Sequence, residues 1–219
     1  MRPLSMLEAR VLGVLVEKSL TVPDSYPLSL NSLTLGCNQK TARDPVIAAS
    51  EGDVQVAVDA LKALSLAFES SGSRVARYEH NLGRAFGIPS QSVALLATLV
   101  LRGPQTPAEL RTAAERLHRF ADVSAVEGFL DELAARPAEK GGALVVKLPR
   151  APGAREQRWA HLLCGPVDLT ALPVASDDES IVAMSELAAL KARLAAAENE
   201  VGRLGALVER QCRELDVRP

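Results

Sequence analysis

The sequence has few aromatic residues, few cysteines and no strong excess of either charge. Phe, Trp and Tyr make up only 3% of the 219 residues, so a core has to be built from Leu, Val and Ala, of which Leu and Ala favour helices. The three cysteines are scattered and form neither a disulfide framework nor a paired metal motif. The net charge of −2 differs from the basic excess typical of nucleic-acid-binding proteins, although a total can hide its distribution.

Long apolar segments are also missing. The longest apolar stretch, residues 93–101, is about half as long as a membrane span requires. Residues 1–18 lack the basic start, the unbroken apolar stretch and the cleavage site of a secretory signal. Isolated thiols are typical of reducing compartments. We therefore expect a cytoplasmic protein that does not interact with membranes.

Residues that could carry catalysis or bind a metal are not clustered. His80, His118 and His161 lie in different predicted elements, and no Gly-rich phosphate loop is present. His161 and Cys164 stand three residues apart on a predicted strand, where that offset directs side chains to opposite faces. We therefore expect no enzymatic activity, no metal site and no cofactor.

The first part of the chain reads as three helices followed by a hairpin. Capping boxes at Ser5 and Ser50 begin the first and third helices, and apolar residues recur at helical spacing after each. A short second helix is predicted over Leu28–Gln39. Two short strands, about Ala67–Ser70 and Arg74–Glu79, follow around a turn-forming tripeptide.

The same order recurs downstream. An apolar helix over Gln91–Leu101 ends at a stop signal, a capping box at Thr106 begins the next helix, and Ser124 is predicted to cap a third. Strands are predicted over Ala143–Leu148 and Arg158–Cys164. The pattern predicts a mainly helical α+β protein with small hairpins, in which two winged helix-turn-helix domains stand in tandem.

The last part of the chain differs from both. Apolar residues there alternate three and four apart over roughly four heptads, the spacing of a coiled coil. We place the first domain at 1–85, the second at 86–165, a linker at 166–180 and a coiled-coil-like helix at 181–216. The candidate dimerisation residues are Leu187, Leu190, Leu194, Val201, Leu204 and Val208. The pattern indicates a homodimer through this helix, or a helix packed back on its own domain.

Six strings of the sequence are long enough to identify a family. They are Leu7–Lys18, Thr21–Asn31, Cys37–Val46, Arg74–His80, Leu101–Arg111 and Arg155–His161. Together they resemble the YceH-like family of uncharacterised bacterial proteins, over about residues 4–165. The resemblance implies two tandem winged-helix domains followed by a variable C-terminal helix. It implies no established activity, catalytic residue or cofactor.

Polar and basic side chains that could contact a DNA backbone occur in the loop before the third helix and in the two hairpins. The loop carries Asn38, Gln39, Lys40, Thr41 and Arg43, the first hairpin region carries Arg74, Arg77 and Arg84, and the second carries Lys147, Arg150, Arg155 and Arg158. All of these side chains can donate to phosphate oxygens. The loop residues could instead cap helix ends and bond their own backbone, and the arginines of the hairpins could serve surface solubility.

The third predicted helix of each domain has acidic residues near its start, which disfavours contacts of its side chains with DNA bases. Their early residues include Glu51, Asp53, Glu127 and Asp131, and carboxylates repel nearby phosphates. A transcription-regulator-like protein that binds double-stranded DNA through basic wings is our first hypothesis. A protein–protein interaction scaffold without a nucleic-acid role is the alternative.

The net charge of −2 does not argue against DNA binding once the charges are counted by segment. Residues 1–85 carry nine basic and nine acidic side chains, and residues 86–165 carry ten basic and eight acidic ones. The acidity of the chain resides in residues 166–219, with six basic and ten acidic side chains. The part predicted to fold into two domains is therefore neutral to slightly basic.

Overall fold

A computed structural model of the chain describes residues 2–70, 75–150 and 153–167. Within them, helices are combined with short antiparallel strands, which confirms the α+β class. The predicted heptad helix and its six candidate dimerisation residues lie outside the described residues, and so does Arg74. No helix of the described part has the length and apolarity needed to cross a membrane.

Three helices and a three-stranded sheet form the first half of the described chain. In chain order they are α1 (Met6–Thr21), β1 (Leu28–Ser29), α2 (Leu30–Cys37), α3 (Glu51–Ala63), β2 (Ala67–Ser70) and β3 (Arg77–His80). The strands are antiparallel, with β3 between β1 and β2. The capping boxes at Ser5 and Ser50 are confirmed, because each hydroxyl accepts from the backbone N–H three residues on and each N3 carboxylate accepts from the cap N–H.

The second half repeats this order. It contains α5 (Ser90–Arg102), α6 (Pro107–Ala113), α7 (Val123–Ala134), β4 (Val145–Lys147) and β5 (Trp159–His161), and a short helix α4 (Leu82–Phe86) joins it to the first half. Backbone hydrogen bonds of 3.1 and 2.7 Å pair Gln105 with Trp159 on the edge of β5. Gln105 therefore takes the place beside β5 that β1 takes beside β3.

Several boundaries differ from the sequence-based expectations, each for a local reason. The second helix begins at Leu30 rather than Leu28, because Leu28–Ser29 pairs with β3 and the Ser29 hydroxyl caps α2. The third helix of the second half begins after Asp122 rather than Ser124, because the Asp122 carboxylate accepts from the Ala125 N–H at 2.8 Å. The strand Ala67–Ser70 is confirmed with its predicted bounds, whereas β3, β4 and β5 are shorter than the predicted strands.

Helices α1 and α5 pack against each other and join the two halves. Val11, Leu15, Leu95 and Leu99 are fully buried in the resulting core. A Cβ built on Gly13 would lie 3.0 Å from Val100 Cγ1, so the close approach of the two helices depends on a residue without a side chain. Both halves share this core and belong to one compact unit, so the division at residues 85 and 86 stays a prediction.

Candidate nucleic-acid interface

The loop between α2 and α3 is organised around the buried side chain of Arg43. Its Nη2 lies 2.6 Å from Glu17 Oε2 and its Nη1 lies 3.1 Å from Glu17 Oε1, so the two side chains form a bidentate ion pair. The same guanidinium donates to the Gly36 carbonyl at 3.2 Å and to Gln39 Oε1 at 2.8 Å. The Arg43 side chain has no solvent exposure, so its guanidinium stabilises the loop and is not available to a ligand in solvent.

Two further side chains fix the same loop. Asn38 donates to the Ala49 carbonyl and accepts from the Ala49 N–H, both at 2.8 Å, and so closes the loop across its base. Arg10, buried in α1, donates to the Pro45 carbonyl at 2.7 Å and to the Cys37 carbonyl at 3.3 Å. These bonds satisfy backbone groups that a long connection would otherwise leave unpaired.

Burial shifts the acid–base properties of this cluster. Burial alone would raise the pKa of Glu17, but the hydrogen bonds and charge of Arg43, together with those of Lys18, outweigh it and hold the pKa below its ordinary value. Burial raises the pKa of the Cys37 thiol to about 12, against the opposing charges of Arg10 and Arg43. The Cys37 thiol is therefore protonated at neutral pH, and a buried thiol of this kind is chemically inert.

Among the five loop candidates, the structure separates two groups. Asn38, Gln39 and Arg43 direct their polar groups into the fold, as the interpretation of the loop as self-bonded predicts. Lys40 and Thr41 are exposed, and no hydrogen bond joins their side chains to other described residues. Lys40 and Thr41 are therefore the most accessible of the five candidates.

The first hairpin presents a mixed surface. Arg77 is exposed but its Nη1 donates to the Pro27 carbonyl at 2.8 Å, so this side chain ties β3 to the segment before β1. Arg84 is exposed on α4 and lines a shallow cavity with Glu79 and the half-exposed Phe68. A carboxylate and an aromatic ring therefore accompany the basic groups on this face.

The second hairpin is more uniformly basic. Lys147 is exposed, and its Nζ lies 5.5 Å from the centroid of the buried Trp159 ring, which is a cation–π contact. Arg150 and Arg155 are exposed and make no hydrogen bond or ion pair with other described residues. Glu156 contributes the one carboxylate of the described loop residues between β4 and β5.

Arg158 has a different role on the same hairpin. Its Nη1 donates to the Pro104 carbonyl at 2.8 Å, and its Nη2 lies 3.0 Å from Glu109 Oε1 near the start of α6. Both ion-pair partners are about half exposed, and such pairs contribute only about 0–1 kcal/mol. Arg158 therefore bonds the hairpin to α6, while Arg150 and Arg155 are exposed without a partner among the described residues and Lys147 is exposed beside the Trp159 ring.

Two arginines that the sequence analysis did not select lie near the junction of the halves. Arg102 ends α5 and Arg116 follows α6, and both line one cavity together with Lys18 of α1. Arg102 also lines a more open cavity with Arg158. The sequence indicated only a helix stop at Arg102, and nothing local distinguishes Arg116 from other surface arginines.

The exposed faces of the third helices are acidic, as the sequence predicts. On α3, Val56 is 71% exposed and lies between the exposed residues Asp53 and Asp59. On α7, Glu127 and Asp131 are exposed. Neither helix presents a basic surface toward solvent. In the described residues, no three His, Cys, Asp or Glu side chains come together as metal ligands.

Comparison with known proteins identifies the family. Residues 4–154 match the family described as "Protein of unknown function, DUF480". The chain belongs to this family. The match ends within the second hairpin, so it includes Lys147 and Arg150 of the DUF480 region and excludes Arg155.

Sequence similarity to members of the family covers nearly the whole chain. A protein of Leptothrix cholodnii called "UPF0502 protein" is 61% identical over 219 residues, covering 99% of this chain and 97% of its own. UPF0502 proteins of Burkholderia pseudomallei (strain 668) and Acidovorax sp. (strain JS42) are 60% and 58% identical. Each match covers 99% of this chain, and 91% and 96% of the respective relative. These matches confirm the family resemblance that the sequence strings indicated.

Proposed function

We propose that the protein is a transcription-regulator-like protein that binds double-stranded DNA through the phosphate backbone. In each half, three helices are followed by an antiparallel hairpin, and a short segment before the second helix pairs with the last strand. This is the arrangement of a winged helix-turn-helix unit, with α2–α3 and α6–α7 as the helix pairs and the hairpins as wings. The proposal includes two such units in tandem.

The exposed basic side chains of the second hairpin are the observation that supports this proposal most directly. Lys147, Arg150 and Arg155 are exposed there, and no described carboxylate pairs with them. Arg158 holds the base of the hairpin against α6, so the three side chains stand on a supported element. Lys and Arg in such a position neutralise phosphates and release counterions, which supplies most of the affinity of sequence-independent binding.

The helix faces explain why backbone contacts are proposed rather than base readout. A recognition helix that enters the major groove brings its exposed face close to phosphates on both sides. On α3 that face carries Asp53 and Asp59, and on α7 it carries Glu127 and Asp131. We therefore expect binding with little sequence preference.

Fluorescence anisotropy with a labelled duplex of random sequence tests this function. We compare the wild type, the double variant R150A/R155A and the matched control R119A/K140A, which removes two exposed positive charges elsewhere in the second half. The hairpin variant should bind more weakly at low salt, and its slope of log K against log salt should be lower by about 2, because each lost phosphate contact removes roughly one counterion. The control should keep the wild-type slope. No binding at micromolar protein, or an equal loss in both variants, would refute the function.

The face of α3 favours one alternative, a protein–protein interaction scaffold. Val56 is 71% exposed between Asp53 and Asp59, and an exposed aliphatic side chain with an acidic rim fits a partner with an apolar and basic surface. A partner that co-purifies with the wild type and with R119A, but not with V56R, supports the scaffold. Recovery of the bait alone, or of the same partner with V56R, contradicts it.

A further inference from the structure

A small cavity lies where the two halves of the compact unit meet. It is bordered by the last part of α1, the loop before α3, the end of α5 and the segment after α6, and its volume is about 240 Å³. Leu101 and Leu117 contribute apolar surface, and Thr21 and Thr41 contribute hydroxyl groups. Neither the hairpins nor the exposed faces of α3 and α7 contribute to its lining.

The charge around this cavity is positive. Its lining includes Lys18, Arg102 and Arg116, and among the residues that the structure describes Glu17 is its one carboxylate. Glu17 is already bound by Arg43 at 2.6 Å and by Lys18 at 3.0 Å. The cavity therefore receives an excess of positive charge.

Arg102 and Arg116 are both exposed, and they are the cations of the described lining that have no partner. No hydrogen bond or ion pair joins the guanidinium of Arg102 or Arg116 to another residue that the structure describes. The neighbouring cations differ in this respect, because Lys18 bonds Glu17 and Gln39, and Arg43 bonds Glu17, Gln39 and the loop backbone. Guanidinium groups present a planar set of donors that matches the oxygens of a phosphoryl group.

We propose that this cavity binds a small anion that carries a phosphoryl group, held by Arg102 and Arg116. The volume of about 240 Å³ lies below the range of about 300–1,000 Å³ for drug-sized ligands, so it suits a compact anion rather than a polymer. Lys18 adds positive charge at the α1 side, and the Thr41 hydroxyl can donate to the anion, whereas the Thr21 hydroxyl already donates to the Glu17 carbonyl at 2.9 Å. The site is separate from the proposed DNA contacts of the second hairpin.

Binding at this position connects the two halves. Lys18 belongs to α1, Arg102 to α5, and Arg116 to the segment after α6, so a bound anion contacts both halves at once. A ligand that binds only the folded state stabilises it by mass action. At a hundredfold excess over Kd the melting temperature should rise by about 5 to 10 °C for a chain of this size.

Thermal unfolding with inorganic phosphate and with pyrophosphate, at constant ionic strength set by chloride, tests the site. The wild type should show a saturable rise in melting temperature, and isothermal titration calorimetry should give a matching Kd. R102A/R116A should lose the rise, whereas R119A/K140A, with the same change of charge, should keep it. R102K/R116K retains the charges without the guanidinium planes and should bind at least severalfold more weakly.

The outcomes separate this site from the DNA interface. R150A/R155A should keep the anion-induced rise even if it loses DNA, and R102A/R116A should bind duplex with the wild-type salt slope. Displacement of pyrophosphate by duplex, with loss of both ligands in R102A/R116A, would overturn the proposal by making the arginines part of the DNA surface. An equal rise in all variants would indicate a general ionic effect, and the absence of any rise at millimolar anion would also overturn it. Unchanged circular dichroism of R102A/R116A without ligand excludes misfolding as the cause of a loss.

Discussion

Arg43 and Glu17 form a bidentate ion pair across 26 residues of sequence, with Nη2 and Oε2 2.6 Å apart. The Arg43 side chain is fully buried, whereas the Glu17 side chain remains 15% exposed. The pair fastens the loop before α3 to the C-terminal part of α1. Arg43 is one of the loop residues that the sequence analysis considered for contact with a DNA backbone, and in the structure its guanidinium bonds the fold, whereas Lys40 and Thr41 of the same loop are exposed.

Loss of the Arg43 side chain should destabilise the fold strongly. R43M leaves Glu17 buried without its main partner, and breaking a buried pair in this way costs about 3–5 kcal/mol. E17L/R43M removes both charges, so it should be more stable than R43M. Urea unfolding measures both. A destabilisation of R43M below about 1 kcal/mol, or a double variant no more stable than R43M, would contradict a structural pair.

The stability contributed by Glu17 should depend on pH. Its pKa lies below the ordinary value, so the unfolded chain takes up a proton at higher pH than the folded one. The contribution is complete above the ordinary pKa of about 4.3 and is lost as the pH falls through the lower folded value. The stability difference between wild type and E17Q should therefore be constant from pH 7 to 5 and shrink below about pH 4. Urea midpoints at these pH values test this; a constant difference down to pH 2 would refute it.

His161 should destabilise the fold in mildly acidic solution. Burial lowers its pKa to about 4, and no hydrogen-bond partner is found for its buried Nδ1 among the described residues. Between this value and the ordinary pKa of about 6.5, the unfolded chain binds a proton that the folded chain does not, so stability falls as the pH falls through that window. The full effect is on the order of 3 kcal/mol. H161Q should lose less stability than the wild type between pH 7.5 and pH 4.5, and parallel pH profiles of the two proteins would disprove the assignment.

Two glycines in helices should respond oppositely to alanine. A Cβ at Gly13 would lie 3.0 Å from Val100 Cγ1 and 3.1 Å from Leu101 Cδ2, whereas a Cβ at Gly128 has no such neighbour within 4 Å. G13A should destabilise by about 1–3 kcal/mol through overpacking, and G128A should stabilise by up to about 1 kcal/mol through helix propensity. Melting temperatures of the two variants test this prediction. Equal shifts would contradict it, because they would show that α1 and α5 can move apart enough to accept a methyl group at position 13.

The start of α7 can be assigned by a pair of alanine variants. Asp122 accepts from the Ala125 N–H at 2.8 Å and is the cap in the structure, while Ser124 lies within the helix. D122A should cost about 1 kcal/mol, and S124A should be close to neutral. Chemical denaturation distinguishes them. A larger loss of stability in S124A than in D122A would contradict this assignment and support Ser124 as the cap.

Elements with local signals were predictable from the sequence. The capping boxes at Ser5, Ser50 and Thr106 each begin a helix, because the hydroxyl and the N3 carboxylate act within four residues of one another. At α7 two caps compete over three positions, and the choice of Asp122 over Ser124 depends on how the preceding chain enters the helix. The pattern alone does not decide between them.

Features that depend on distant pairing were not predictable in the same way. The strand Leu28–Ser29 is too short to show alternation, and it exists because β3 pairs with it across about 50 residues of chain. The surroundings of Arg43, Arg102 and Arg116 likewise depend on which helices meet. A sequence pattern does not distinguish a buried arginine from an exposed one. The basic second hairpin could be recognised because its charges are close together in the sequence.

The packing of α1 on α5 has a consequence for how this chain can be divided. These helices hold the same position in the order of the two halves, so an element meets its own counterpart, the relation found at the isologous interface of a twofold dimer. Here both partners reside in one polypeptide, and their association does not depend on protein concentration. A fragment of either half would expose an apolar surface that is fully covered in the intact chain. Such fragments should associate with each other or with themselves, because in the intact chain each half covers the apolar surface of the other.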